Sequence, residues 1–203
     1  MSIQDFLYNT KTGRILLRPL ISRPVSVLLG AFLDSRLSAV LIPFFVKKQG
    51  IRLSDYRLKG IKSFNDFFCR RLKKGLRTVS RDINELIAPC DGLLSVYSIN
   101  ALTVLSVKQS SFSIDRLLKD PSLSAGFEGG YALVFRLCVD NYHRYIYFDS
   151  GKQHKTRRIK GVYHTVRPVA LEKYPVFIEN SREYTVIDTE AFGRAVQMEV
   201  GAL

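Results

Sequence analysis

The stretch Leu86-Ile87-Ala88-Pro89-Cys90-Asp91-Gly92-Leu93-Leu94-Ser95-Val96 marks the point at which this 203-residue sequence changes from helical to strand-like patterns. Its Asp91-Gly92 pair has apolar residues on both sides. Asp-Gly is among the strongest two-residue signals for a hairpin turn, because Gly adopts backbone angles that other residues avoid. A carboxylate among apolar neighbours also suits a functional role. A turn and a functional site are therefore both open interpretations of this pair.

Strand-like runs dominate the sequence after residue 83, and turn residues separate most of them. The predicted strands are 86–90, 93–99, 102–108, 131–139, 143–148, 158–166, 183–188 and 194–201. One short helix is predicted over Ile114–Lys119, with Ser113 as its N-cap. Because helices do not alternate with these strands, we predict an α+β fold in which N-terminal interfacial helices precede a mostly antiparallel β domain.

The net charge of +13 is confined to the first two fifths of the chain. Residues 1–81 hold 17 Lys/Arg and 4 Asp/Glu, whereas residues 82–203 hold 14 of each. A basic segment attached to a neutral body indicates an attachment surface for nucleic acid or for a membrane. The sequence lacks the motifs of nucleic-acid-binding modules, and its basic residues alternate with aliphatic runs. We therefore predict an anionic membrane lipid as the partner, and no nucleic acid.

Two short apolar runs, 25–33 and 37–46, lie between cationic flanks. Neither run reaches the roughly 20 residues needed to cross a bilayer, and Asp34 and Arg36 fall between them. Short apolar helices with cationic flanks are typical of segments that lie in the membrane interface. We predict that residues 1–62 form a basic, helical, membrane-associating region, which makes the protein peripheral (monotopic) with its domain on the cytoplasmic side. Packing of these helices on the domain core is the alternative.

Residues 63–77 predict a capped helix. Ser63 is its expected N-cap, Asp66 the acid of a capping box, and Gly75 its stop. Three cysteines, Cys69, Cys90 and Cys138, are widely spaced and odd in number. They match neither a metal-binding spacing nor a disulfide framework, so we expect buried or partly buried free thiols and no metal site.

His143 is the histidine that the sequence favours for chemistry. Asp140-Asn141 before it is a turn signal, so we expect His143 to open a strand directly after a bend. Arg144 beside it would disfavour the imidazolium and keep a neutral, proton-accepting ring. By contrast, His154 lies in a polar loop and is expected to be solvated, and His164 is expected to be a strand residue with one face covered.

Five segments occur in a fixed order along the chain. They are 63–75, Ala88-Pro89-Cys90-Asp91-Gly92, Asp140-Asn141-Tyr142-His143-Arg144-Tyr145, Glu179-Asn180-Ser181-Arg182-Glu183-Tyr184 and Glu199-Val200-Gly201-Ala202-Leu203. Together they resemble the bacterial, pyruvoyl-dependent phosphatidylserine decarboxylase family. The Asp-Gly and Tyr-His-Arg segments in one chain make the resemblance specific. It is closest to the bacterial subgroup with Cys before the Asp and an aromatic-rich run after Tyr-His-Arg.

The resemblance implies a self-processing proenzyme that converts phosphatidylserine to phosphatidylethanolamine and CO2 in phospholipid biosynthesis. Members of this family use an Asp-His-Ser arrangement to cleave their own chain at a Gly-Ser bond, and the Ser becomes a covalent pyruvoyl group, the electron sink for decarboxylation. By resemblance, Asp91 is the orienting acid and His143 the base or proton donor. The arrangement has a physical reason, because a serine hydroxyl is a weak nucleophile until an imidazole removes its proton.

The sequence departs from the family pattern in two places. Ile146 stands where many members carry a second His, and Gly-Ser-Thr occurs nowhere in the 203 residues. We therefore expect residues 63–203 to form a catalytic-type β-rich domain that is incomplete at its C-terminus, from a C-terminally truncated proenzyme that is inactive alone. The alternatives are a subunit that needs a separate C-terminal alpha-type chain carrying the pyruvoyl group, and a non-catalytic, membrane-binding pseudoenzyme.

Overall fold

Helices occupy most of the first fifty residues of the computed structural model, which describes residues 2–202 apart from 101–103 and 108–109. The helices are α1 (Ile3–Asn9), α2 (Lys11–Leu20), α3 (Arg23–Asp34), α4 (Leu41–Gln49), α5 (Phe64–Phe68), α6 (Ile114–Leu118), α7 (Pro121–Ala125), α8 (Pro168–Leu171) and α9 (Val176–Glu179). Two 3₁₀ turns, Arg36–Val40 and Leu53–Asp55, follow α3 and α4.

The strands begin after these N-terminal helices. They are β1 (Tyr56–Arg57), β2 (Arg71–Leu72), β3 (Leu93–Ser98), β4 (Val104–Val107), β5 (Ser110–Ser113), β6 (Tyr131–Arg136), β7 (Gly151–Gln153), β8 (Arg157–Ile159), β9 (Arg182–Thr189) and β10 (Arg194–Val200). In the largest sheet β9 pairs with β10 on one side and with β7 and β8 on the other. All pairings between these strands are antiparallel, which confirms the predicted α+β class.

The first two helices pack against the C-terminal half of the chain, whereas the next two do not. Tyr8 of α1 and Leu17 of α2 form one buried cluster with Leu171 and Val176. Neither α3 nor α4 contains a buried residue. Helices α3 and α4 instead contact α5, through Asp34 and Phe45, so for these two helices the membrane interface and packing on the domain stay alternative predictions. The predicted boundary between regions 1–62 and 63–203 stays a prediction.

A second cluster holds the short helices against the large sheet. Leu118 of α6, Ile159 of β8 and Tyr184 of β9 are all buried in it. Beside it the buried guanidinium of Arg182 donates to four carbonyl oxygens, those of residues 116, 117, 178 and 180. Burial lowers the pKa of Arg182. The four carbonyl oxygens take the place of the water molecules that the cation loses on burial.

The helix predicted over 63–77 begins as expected but is much shorter. Ser63 and Asp66 form the predicted capping box, yet α5 ends at Phe68. Directly afterwards, Arg71 and Leu72 pair as β2 with β1. Gly75 has a positive φ of 83° but lies in a turn after β2 and ends no helix. A long-range strand pairing therefore overrides the helical pattern.

Several predicted strands are confirmed and others are wrong. Strands 93–99, 183–188 and 194–201 correspond to β3, β9 and β10, and helix Ile114–Lys119 to α6 with its Ser113 cap. The predicted strand 102–108 is found as Val104–Val107, and its residues 102, 103 and 108 lie outside the described residues. Strand 131–139 ends at Arg136.

Three predicted strands are wrong wholly or in part, because other contacts take the place of the backbone hydrogen bonds between strands. In place of paired strands, the structure joins segments 86–90 and 143–148 through the isolated Cys90–Tyr145 bridge and the Ile146 N–H bond to the Pro89 carbonyl (2.8 Å). Of 158–166, only the beginning lies in β8. Further along, the Asn180 side chain bonds both the N–H (2.9 Å) and the carbonyl (2.7 Å) of His164.

Candidate active site

The Asp91-Gly92 pair turns the chain into β3. Gly92 has a φ of +141°, and a Cβ built there would lie 2.9 Å from the carbonyl oxygen of Arg136 on the paired strand β6. Both the backbone angle and the close approach therefore require glycine. The pair is not the two-residue hairpin loop that the sequence suggested, because residues 86–90 form no strand.

The carboxylate of Asp91 is held by Arg77 in a bidentate pair. Arg77 Nε lies 2.9 Å from Oδ1 and a terminal nitrogen lies 2.7 Å from Oδ2. This guanidinium, with a smaller contribution from the backbone N–H of Tyr142, lowers the pKa of Asp91. Asp91 is consequently ionised at neutral pH. Sequence analysis missed Arg77, since one cation among many in a basic region carries no distinguishing signal.

His143 lies in the loop after β6 and does not open a strand, contrary to the prediction. The turn is fixed by Asn141, whose Oδ1 accepts from the Cys138 N–H at 2.6 Å. Nε2 of His143 lies 3.0 Å from the Cys138 carbonyl oxygen. Because a carbonyl oxygen can only accept, Nε2 carries the proton and Nδ1 is the acceptor nitrogen of the neutral ring.

The imidazole of His143 is half-buried, and this burial lowers its pKa. The nearby charge of Arg70 lowers that pKa further. This direction agrees with the predicted neutral ring, which stays a prediction, and Arg70 supplies the like charge that was expected from Arg144. The Arg144 guanidinium instead donates to the Cys69 carbonyl at 2.9 Å. Arg70 is a second site residue that sequence analysis missed.

The structure brings the Asp91 and His143 segments side by side without joining the two side chains. The Cys90–Tyr145 bridge aligns the segments, and the Tyr142 N–H points at the Asp91 carboxylate. Within the described residues, however, the carboxylate bonds Arg77 and the imidazole bonds Cys138. The predicted orienting and proton-transfer roles of Asp91 and His143 therefore stay predictions.

The residues after His143 form an exposed, largely apolar edge. Tyr145, Ile146 and Tyr147 are each about half exposed, at 47–49%. A hydrogen bond to the Glu199 carboxylate of β10 raises the pKa of Tyr145 to about 12, so Tyr145 stays a neutral phenol. Gln197 of the same strand donates to the Ile146 carbonyl at 3.3 Å. Strand β10 thus borders the candidate site.

The remaining histidines lie elsewhere. His154 bonds Asp188 at 2.7 Å, so its side chain has a partner where solvation was expected. His164 is buried against Tyr8 and Tyr174. All three cysteines are free, and Cys69 is exposed rather than buried. Burial and the neighbouring Asp91 raise the pKa of the Cys90 thiol, which makes Cys90 a poor nucleophile.

Comparison with known proteins gives a consistent result. The family model described as phosphatidylserine decarboxylase matches residues 64–203. The chain is 41% identical over 199 residues to phosphatidylserine decarboxylase proenzyme 2 of Clostridium acetobutylicum, which covers 98% of this chain and 68% of the relative. It is 40% identical over 201 residues to the proenzyme of Ruminiclostridium cellulolyticum, covering 97% of this chain and 67% of that relative. The chain therefore belongs to the phosphatidylserine decarboxylase family.

Proposed function

We propose that this chain provides the acid–base part of a phosphatidylserine decarboxylase proenzyme, which forms phosphatidylethanolamine and CO2 in phospholipid biosynthesis. The observation that carries the proposal is the neutral, half-buried His143 beside the ionised Asp91. Relatives that share about 40% of the sequence are named phosphatidylserine decarboxylase proenzymes. The proposed cofactor is a covalent pyruvoyl group made from a Ser that is not among these 203 residues.

The side chains at the candidate site fit the proton transfers of this chemistry. The pyruvoyl group supplies the electron sink for the electrons left behind by CO2. Nδ1 of His143 can accept a proton from a serine hydroxyl, since Nε2 is fixed on the Cys138 carbonyl. The lowered pKa of His143 keeps this acceptor available at neutral pH. Asp91, held ionised by Arg77, places a negative charge beside the His143 loop, where it would stabilise a transient imidazolium.

The exposed edge beside His143 suits a lipid substrate. Tyr145, Ile146 and Tyr147 offer apolar surface within the same loop as the imidazole, and an acyl chain or glycerol backbone could pack there. A second interpretation shares this geometry, a scaffold that binds membranes without catalysis. An activity measurement separates the two.

A chimera tests the proposed reaction. The chain would be joined to the part of the Clostridium acetobutylicum relative that lies outside the match, and CO2 release from serine-labelled phosphatidylserine measured. We expect activity in the chimera and a loss of about 100-fold or more in Asp91→Asn and in His143→Gln, the usual size of a general acid–base contribution. His154→Gln, a substitution outside the site, is the control and should retain activity. Full activity in His143→Gln, or an inactive chimera with an intact serine segment, would contradict the proposal.

We also propose that the protein attaches to the cytoplasmic side of a membrane through α3, the following 3₁₀ turn and α4, here named the interfacial surface. Large apolar side chains are exposed along it: Val27 at 60%, Leu28 at 71%, Leu37 at 75%, Val40 at 78% and Phe44 at 69%. Cationic residues accompany them, at Arg23, Arg36, Lys47 and Lys48. An apolar surface ringed by cations favours an anionic bilayer surface.

The helices of this region are short. Among the described residues, no single helix has both the length and the apolar composition to cross a membrane. The pair α2 and α3 meets these two criteria only when taken together, and it is bent by 64°. The proposed attachment is accordingly peripheral, with helices lying along the bilayer surface.

A further inference from the structure

The loop that carries His143 is held by the end of α5. The Phe68 ring packs on the His143 imidazole with ring centroids 4.1 Å apart and an angle of 32°. The next residue, Cys69, accepts from Arg144 through its carbonyl at 2.9 Å. Arg70 then donates to the Asp140 carbonyl at 3.3 Å. Three consecutive residues thus contact the loop on both sides of His143.

Arg70 is an unusual residue to find in this position. It is only 2% exposed, and its guanidinium lies 4.3 Å from the ring centroid of Tyr56 and 5.0 Å from that of Phe67. Its Nε is buried without a hydrogen-bond partner. A buried cation costs free energy unless it is compensated, and the described residues offer Arg70 carbonyls, a phenol and aromatic faces but no carboxylate. Structural stability alone gives a weak reason for a cation here.

Helix α5 is itself firmly anchored. The ring of Phe45 from α4 packs edge-on against Phe64 at 5.1 Å. The Phe64 N–H donates to Ser38 Oγ at 2.9 Å, and the Asn65 amide donates to Asp34 at 2.9 Å. The end of α5 is therefore held in place. Side chains on it can orient another side chain precisely, because their own positions are fixed.

We propose that Phe68 and Arg70 are positioning residues for His143. The closely packed ring of Phe68 sets the orientation of the imidazole, and Arg70 fixes the loop at Asp140 while its charge disfavours the imidazolium. Together they keep Nδ1 as a proton acceptor in one orientation. The inference rests on the proposed role of His143, but it concerns the state of the imidazole and can be measured without turnover.

Nuclear magnetic resonance of the full chain with labelled histidine tests this. The His143 signals are assigned from their loss in His143→Gln. In Phe68→Leu the ring-proton signals of His143 should move, because the ring-current shift from the adjacent Phe68 ring is lost. In Arg70→Gln the pKa of His143 should shift upward, since a like charge is removed. The signals of His154 and His164 should not change in either variant.

Two variants provide matched controls. Arg71→Gln removes the same charge from an exposed side chain, and Phe192→Leu removes an exposed ring from the turn after β9. Both should leave the titration of His143 as in the unsubstituted chain. Arg70→Lys retains the charge and should restore the titration in part. Where Arg70→Gln does not fold, Phe68→Leu carries the test. Unchanged ring-proton signals of His143 in folded Phe68→Leu, or an unchanged His143 pKa in folded Arg70→Gln, would overturn the proposal. That outcome is distinct from an active His143→Gln chimera, which would overturn the proposed function.

Discussion

Tyr8 connects the N-terminal helices to the rest of the molecule through its hydroxyl group. The oxygen accepts from the Thr165 N–H at 3.2 Å, so the hydroxyl proton is free to be donated to His164 Nδ1, also at 3.2 Å. Nε2 of the same imidazole then faces the Glu179 carboxylate at 3.5 Å. One phenol thus satisfies two buried polar groups that are more than 150 residues away in sequence.

Removing this hydroxyl should destabilise the protein. Tyr8→Phe leaves the Thr165 N–H and His164 Nδ1 without their partner, and a buried unsatisfied group costs about 1–3 kcal/mol. Urea unfolding followed by circular dichroism measures the loss. Tyr131→Phe, at a tyrosine that is 67% exposed, is the matched control and should change the unfolding free energy by less than about 0.5 kcal/mol. Equal effects at both positions would contradict this account of Tyr8.

Stability should also fall in mildly acidic solution because of His164. Burial lowers the pKa of His164 below its ordinary value of 6.5, although the Glu179 carboxylate faces its Nε2 at 3.5 Å. Its other neighbours, Tyr8 and Tyr174, carry no charge at this pH. The unfolded chain therefore binds the proton first, and stability is lost as pH falls from about 6.5 towards the folded-state pKa. Urea midpoints at several pH values from 7.5 downwards should show a smaller loss in His164→Gln than in the unsubstituted chain. Parallel pH profiles would argue against His164 as the cause.

Site residues could be predicted where a sequence motif marks them. They could not be predicted where residues distant in sequence come together on folding. Asp91 and His143 stand out by their neighbours in sequence. Arg77, which lowers the pKa of Asp91, and Arg70, which adds to the effect of burial on the pKa of His143, are two of 31 Lys and Arg residues. Nothing local distinguishes them, because their roles depend on the fold of residues 67–77 against the 138–144 loop.

Among the elements, beginnings were predicted better than ends. The capping box at the start of α5 and the Ser113 cap of α6 are short-range sequence patterns. The end of α5 depends on the pairing of β2 with β1. The predicted strand 158–166 is shortened where the Asn180 amide bonds the His164 backbone. Such contacts join residues far apart in sequence, so periodicity could not reveal them.

Two glycines should respond to substitution in opposite directions. Gly193, in the turn between β9 and β10, has a φ of +71°, so Gly193→Ala should cost about 1 kcal/mol. Gly30 lies inside α3, and a Cβ there would meet nothing within 4 Å. Gly30→Ala should therefore stabilise by about 0.5–1 kcal/mol. Thermal unfolding measures both, and a shift of the same sign in the two variants would contradict the assignment.

For the whole molecule, the uneven charge was the feature that the sequence displayed most directly. The +13 excess over residues 1–81 comes together with the exposed apolar residues of the interfacial surface. The sequence could not reveal that α1 and α2 pack on α8 and α9 while α3 and α4 do not, since all four helices carry apolar stripes.

Vesicle sedimentation tests the interfacial surface. Binding to anionic vesicles should exceed binding to neutral ones and weaken as salt screens the basic residues. The double substitution Leu28→Asp with Phe44→Asp should reduce binding by about tenfold or more, because each Asp must be dehydrated at the interface. The control is Ile83→Asp with Leu86→Asp, which changes two exposed apolar residues outside this surface. Equal binding by the two double variants would exclude the proposed surface.

A row of packed aromatic rings connects α4 to His143. The ring centroids are 5.1 Å apart for Phe45 and Phe64, 6.2 Å for Phe64 and Phe68, and 4.1 Å for Phe68 and His143. Closely packed side chains resist compression and pass displacement on to their neighbours. A tilt of α4 on entering lipid would therefore be passed along these rings and would displace the imidazole of His143. Under the proposed attachment, the bilayer would help to set the geometry of the site, and a substrate molecule still in its membrane would meet a base that the same membrane has positioned.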